Sequence, residues 1–376
     1  MSQQNKASWL HLLNAPGLGF AGIKRLLDAY GSIEHIFQQK SFSPELKIPT
    51  KAVTHLIAAS DDDIRTELDW LNKPGNHLLT LDDPLFPPQL KQISDPPMLL
   101  FVKGDPNTLL LPQLAVVGSR NASQGGLNNA QAFCFDLAKK GLVITSGLAA
   151  GVDATSHQAA LDANGQTVAV MGTGINAIYP KSNQNLAKSI TQQGAVVSEF
   201  PFNTPPNAYN FPRRNRIIAG LSLGTLVVEA AQKSGTLITA RLSMENNRPV
   251  MAIPGSIHNP LAKGCHHLIK QGAKLVESAQ DIMEELTPSI EMLTDQLQAS
   301  FDQLPDTTLE KDTTTPNIEL SETQQHIFNQ IDFNPTSFDA IVERTKLSSS
   351  NIASDLLILE LSGLVEKLPG AKYQKL

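Results

Sequence analysis

A chain of 376 residues exceeds one ordinary domain, and 41% hydrophobic against 18% charged residues is the balance of a soluble globular protein. No apolar run approaches the roughly 20 residues that span a bilayer, and the stretch 9–13 is too short for a signal peptide. With only two cysteines, Cys134 and Cys265, a disulfide framework is excluded and a cytoplasmic protein without membrane contact is expected.

The formal net charge of −6 conceals an asymmetry. Residues 100–276 carry 15 Lys and Arg against 7 Asp and Glu, whereas residues 277–322 carry one Lys against 12 acids. Screening over about 8–10 Å makes local charge matter more than the total, so a polyanion site belongs in the centre.

Residues 1–76 alternate short helical patterns with polar breaks and form a small helical domain. Within it, Asn14-Ala-Pro-Gly17-Leu-Gly19-Phe resembles a helix-hairpin-helix turn, whose backbone N–H groups can face a phosphate. A glycine turn in a packing module is the simpler reading, because the motif is short and the region slightly acidic.

From residue 77 to 287 the pattern becomes β-rich runs separated by helix-length segments. The runs fall at 114–118, 142–146, 167–172, 195–200, 225–229, 249–254 and 274–276, with 78–81 and 99–102 as extra strands. Near-continuous Val, Ile, Leu and Ala describe strands buried on both faces. Alternation with helices then predicts an α/β class, a doubly wound, mostly parallel Rossmann-like domain.

Ligands of such sheets bind outside the carboxyl ends of the strands. Small residues collect there: Gly118, Ser119 and Arg120 after the first run, Ser146 and Gly147 after the second, Gly172 and Gly174 after the third, and Ser234, Gly235 and Thr236 after the fifth. Together they predict an anion-binding rim built from N–H groups and helix N-termini. The match of Gly172-Thr-Gly174-Ile-Asn-Ala177 to a dinucleotide fingerprint is discounted, since it sits in the third turn and Tyr179-Pro180 breaks the following helix.

Residues 200–228 hold Arg213, Arg214 and Arg216 and no acid. Of only 20 aromatics in the chain, Tyr179, Phe200, Phe202, Tyr209 and Phe211 fall within 33 residues. Guanidinium groups fork onto phosphate and aromatic faces stack bases without regard to sequence, which points to a single strand. The plainer alternative is that Phe200 and Phe211 fill the core and an arginine pairs with Glu199 or Glu229.

Other constellations fail. Cys265-His266-His267 lacks a convergent fourth ligand, so no metal is expected. Ser146, Asp153 and His157 invite a triad, but Asp153 and His157 lie one helical turn apart, where pairing suffices. No catalytic assembly and no cofactor are implied.

Residues 288–320 read as a flexible acidic linker, rich in Thr, Asp and Pro. Residues 321–376 fit a winged helix, and the segment 348–355 lacks Arg and Lys, which favours docking over duplex reading.

These stretches match a family. Val117-Gly-Ser-Arg120, Ser146-Gly-Leu-Ala-Ala-Gly-Val-Asp153, His157, Gly172-Thr-Gly174 with Tyr179-Pro180, Phe211-Pro-Arg-Arg-Asn-Arg216, Ser234-Gly-Thr236 and Ile253-Pro-Gly255 follow one another across residues 110–275. The chain resembles DprA, also called Smf, the DNA-processing protein of bacterial natural transformation. The resemblance implies a homodimer that binds single-stranded DNA and helps load the RecA recombinase onto it. It implies phosphate contacts from Arg120 and Lys181, a basic track extended by Arg213 and Arg214, and Phe211 and Asn215 in the same surface. Asn247 stands where many relatives carry glycine. The alternative is a nucleotide-hydrolysing Rossmann-like enzyme: Ser234-Gly-Thr partly echoes its loop, and Glu229 with Arg213 imitates its charged pair, but the full Pro-Gly-Gly-x-Gly-Thr motif is missing.

Overall fold

A computed structural model describes residues 3–302 and, further on, 322–332, 336–345, 347, 352, 356, 359, 364–368 and 372–375. The chain separates into two compact units, Met1–Gln303 and Leu304–Leu376.

The first unit opens with helices α1 (Gln3–Asn14), α2 (Gly19–Tyr30), α3 (Ile33–Phe37), α4 (Thr50–Ile57) and α5 (Arg65–Leu71). Strand β1 (Asn76–Thr80), helix α6 (Pro88–Lys91) and strand β2 (Leu99–Gly104) lead into the alternating part. There β3 (Gln113–Val117), α7 (Gln124–Lys139), β4 (Val143–Ser146), α8 (Val152–Asp162), β5 (Thr167–Val170), α9 (Gln184–Gln193) and β6 (Gly194–Ser198) follow in turn. After them come α10 (Asn210–Leu221), β7 (Gly224–Val227), α11 (Thr236–Glu245), β8 (Val250–Ala252), α12 (Lys263–Lys270), β9 (Lys274–Leu275) and α13 (Ala279–Asp302). Every apolar run read from the sequence is a strand.

The nine strands form one sheet in the order β1-β2-β6-β5-β4-β3-β7-β8-β9. β1 and β2 join antiparallel, and all pairs from β6 to β9 are parallel. Winding runs outward from β3 to β6 and then returns to place β7 on the other side of β3. The crevice between the ends of β3 and β7 is therefore the topological switch point, where ligands of such sheets bind.

Side chains alternate along each strand, so Leu114 and Val116 face α7, α8 and α13, while Ala115 and Val117 face α10, α11 and α12. The N-terminal helices are not a separate ball. Trp70 of α5 sits edge-on to Phe101 (5.9 Å between ring centroids) and Phe202 (5.7 Å), tying the module to the β2–β6 side of the sheet.

One expectation is corrected. The linker reading begins at residue 288, but α13 continues through Pro288 to Asp302. Leu293 is buried and Ile290 and Leu297 pack beside it on the α7 face, a three- and four-residue spacing that seats this helix. Composition concealed the periodicity. The remainder of the linker, 303–320, and the segment 348–355 apart from buried Ile352 lie outside the described residues.

The second unit comprises α14 (Glu322–Gln330), β10 (Thr336–Ser337), α15 (Phe338–Thr345), β11 (Val365–Leu368) and β12 (Lys372–Lys375). Its strands pair antiparallel in the order β10-β12-β11 around Ile327, Ile341, Leu356 and Tyr373. Among the described residues no helix is long and apolar enough to cross a membrane.

Candidate nucleic-acid interface

A cleft of about 790 Å³ opens at the β3/β7 switch point. Its first wall is the loop after β3. Ser119 Oγ accepts from Asn121 N–H at 3.1 Å, and Arg120 projects into solvent with its guanidinium 5.6 Å from the Phe211 ring centroid. The opposite wall is the loop after β7, where exposed Lys233 precedes Ser234 and Gly235 at the start of α11. Thr236 Oγ1 donates to Gly118 O at 3.1 Å and pins the two walls together.

Between them, the first turn of α10 lays Phe211 over the end of β5. Gly172 permits this, since a Cβ there would stand 2.7 Å from the ring. Tyr179 lies 5.8 Å from Phe211 between ring centroids and is 44% exposed. Arg120, Phe211 and Tyr179 thus form a row of cation, ring and ring along one rim. Tyr209, at the N-cap of α10, is 86% exposed beside it.

Arg214 forms the floor. It is buried, donates to Gly147 O at 2.8 Å and to Val170 O, and reaches Asn215 Oδ1 from Nε at 3.1 Å. Gly147 must be glycine here, because a Cβ would meet the guanidinium at 2.6 Å. Asp153 accepts from the N–H groups of Gly147 (3.2 Å) and Ala149 (3.3 Å). Burial drives the Asp153 carboxyl above its ordinary range, opposed by the attraction of Arg214. Burial also lowers Arg214, to about 10, so it stays cationic at neutral pH.

The arginines of this run, read from the sequence as one basic track, do not all share a face of α10. On a helix advancing 3.6 residues per turn, positions 213 and 216 share a face and 214 takes another. Arg213 lies 3.4 Å from Glu199 and stacks 4.0 Å from the Phe20 ring centroid of α2. Arg216 pairs with the same buried Glu199 and with Asp95 at 3.0 Å. Burial raises the Glu199 carboxyl despite both arginines. Only Arg214 reaches the cleft, and from beneath.

The other expected residues divide similarly. Ser119, Arg120, Phe211, Asn215, Ser234, Gly235, Thr236 and Gly118 line the cleft. Ser146 is buried with its hydroxyl on Val116 O at 2.6 Å. Gly174 is buried under the carbonyls of Pro201 and Phe202, which a Cβ would approach to 2.3 and 2.2 Å. Lys181 is exposed on the turn Lys181–Asn183 but is not part of the cleft wall. Lys233 is the residue the sequence reading missed. Its signal was a lone cation in the loop ahead of Ser234-Gly-Thr.

The charged pair of the hydrolase alternative is not assembled. Glu229 accepts from Ser123 N–H (2.8 Å), Ser123 Oγ (2.6 Å) and Asn259 Nδ2 (3.1 Å), while Arg213 belongs to Glu199. His157 Nδ1 meets Thr167 Oγ1 at 2.7 Å rather than a nucleophile, and burial depresses its pKa to about 3. Cys265 is buried against Val227 O and Val228 O, and His266 Nε2 is 2.9 Å from Gly255 O.

A family model described as DNA recombination-mediator protein A matches residues 77–287, and one described as the DprA winged helix domain matches 311–371. The chain belongs to the DprA family. It is 45% identical to Protein Smf of Escherichia coli K12 over 308 residues, covering 82% of this chain and 79% of that protein. The crystal structure of DprA from Streptococcus pneumoniae superposes with a TM-score of 0.65 at 37% identity, covering 74% of this chain and 97% of the other. DprA from Helicobacter pylori, whose structure is described for its unique single-stranded DNA binding mode, gives 0.52 at 28% identity over 57% of this chain and 97% of that one.

Proposed function

We propose that this DprA-family chain binds single-stranded DNA in the β3/β7 cleft. The observation that carries the reading is the row Arg120–Phe211–Tyr179 along a rim fed by the start of α11. The exposed Tyr179 ring and the half-buried Phe211 ring accept unstacked bases of any sequence, and Arg120 and Lys233 take adjacent phosphates. A duplex, whose bases are already stacked, gains less from such a rim. The binding mode named for the Helicobacter pylori relative supports the same occupant. Family membership extends the proposal to a homodimer that hands the coated strand to a RecA recombinase during natural transformation.

The test is fluorescence anisotropy with labelled oligo(dT) and the matching duplex, titrated across salt. With about three to five phosphate contacts, the log–log slope for the single strand is roughly −2 to −3.5. Arg120→Ala weakens all sequences alike, about fivefold at 0.1 M salt, and reduces the slope by about 0.7. A clear duplex preference, or a loss confined to particular sequences, overturns the reading.

A further inference from the structure

A second groove, of about 640 Å³, opens on the Arg213 side of α10, between α2 and α11. It adjoins the β3/β7 cleft at a saddle formed by Pro212 and Ile238, which line both. No carboxylate stands on that saddle. Beyond it, Lys24 of α2 is exposed, and Arg241 of α11 is exposed with only a solvent-facing pair to Glu245 at 3.4 Å. The one lining acid, Asp95, is held by Arg216.

The groove repeats the chemistry of the cleft. In the cleft, Arg120 stands over Phe211; across the saddle, Arg213 stands over Phe20 at 4.0 Å. Two cation-and-ring pairs flank one apolar crossing. Arginine over an aromatic ring is also how bases and phosphates of a flexible strand are held together.

We propose that the single strand continues from the β3/β7 cleft over Pro212 and Ile238 into this groove, where the N-terminal helical module supplies Lys24 and Phe20 and α11 supplies Arg241. The module is then part of the DNA path, acting through side chains rather than through the glycine turn at Gly17 and Gly19. This rests on the reading of the first cleft, and the experiment separates the two.

Oligo(dT) of about 6 and about 16 nucleotides, spanning a short and a long single-strand site, is titrated against the full chain and the double variant Lys24→Ala/Arg241→Ala. Both positions are exposed, so the fold is retained, and tryptophan emission from Trp9 and Trp70 checks it. The wild-type chain binds the long strand more tightly than the short one. Loss of two phosphate contacts costs the variant about 25-fold on the long strand at 0.1 M salt and leaves the short strand unchanged. Bromodeoxyuridine in the long strand cross-links at Phe20 in the wild-type chain. If the variant equals wild type at both lengths, the second groove is not on the path and the first-cleft reading stands. If wild type binds neither strand, the first-cleft reading falls and this inference with it.

Discussion

Arg214→Ala separates a load on the fold from a load on DNA. In the folded chain the guanidinium satisfies the carbonyls of Gly147 and Val170 and faces the buried carboxyl of Asp153. Removing it strands that carboxyl and two acceptors, and breaking a buried charge pair from one side costs about 3–5 kcal/mol. Against a typical total of about 5–15 kcal/mol, that is a large share. Urea unfolding followed by tryptophan emission reads it cleanly, because Trp9 and Trp70 both lie in the Met1–Gln303 unit. The pH dependence adds a signature. Without Arg214 the Asp153 carboxyl rises further above its unfolded value, so the folded state gains the proton first and the variant's deficit shrinks as pH falls. The pair Arg214→Met/Asp153→Asn restores the part of the loss due to the carboxyl, since no charge is left buried alone, while the Gly147 and Val170 carbonyls stay unpaired. The reasoning is refuted if Arg214→Ala unfolds within about 0.5 kcal/mol of wild type while its salt slope for oligo(dT) drops by about 0.7. That result would make Arg214 an exposed phosphate ligand.

Two other perturbations test the fold and the rim. Thr167 Oγ1 donates to Ile144 O at 2.6 Å, so it accepts from His157 Nδ1–H and leaves Nε2 buried without a partner. With a folded pKa of about 3, His157 stays neutral while the unfolded chain takes up a proton below about 6.5, so stability falls between those values as pH drops. The loss attributable to it at pH 5 is about 2 kcal/mol, and His157→Gln removes that slope relative to wild type; parallel stability profiles would contradict the assignment. At the rim, Phe211→Ala lowers affinity for oligo(dT) by the value of one stacked base, about 1–3 kcal/mol, while Phe211→Tyr retains it. Equal binding by all three proteins in anisotropy would remove Phe211 from the surface.

The sheet was legible because its strands are buried on both faces. Runs such as Leu114-Ala-Val-Val117 have no polar side to confuse the period. The rim was legible because small residues and a strand end mark it together. The arginines were not, since their direction depends on helical phase. Taken as a composition, residues 213–216 look like one basic patch; placed on α10, they divide between Glu199 and the cleft floor. Lys233 was hidden by the glycine and serine beside it. The first half of the linker was hidden by Pro288 and a run of acids, although Ile290, Leu293 and Leu297 carry a helical spacing.

The placement of charge explains how an acidic chain presents a cationic cleft. Three carboxylates by the rim are already engaged: Asp153 with the N–H groups of Gly147 and Ala149, Glu199 with Arg213 and Arg216, and Glu229 with Ser123 and Asn259. What remains on the surface there is Arg120 and Lys233. The inward arginines have a second consequence. They fix α10 against β4, β5 and the N-terminal module, and α10 is the element that carries Phe211 and Tyr209 to the rim. Interior cations therefore set where the rings stand, and exterior cations meet the phosphates. A substitution inside changes stability first and affinity only through α10, whereas one outside changes affinity and its salt dependence with the fold intact.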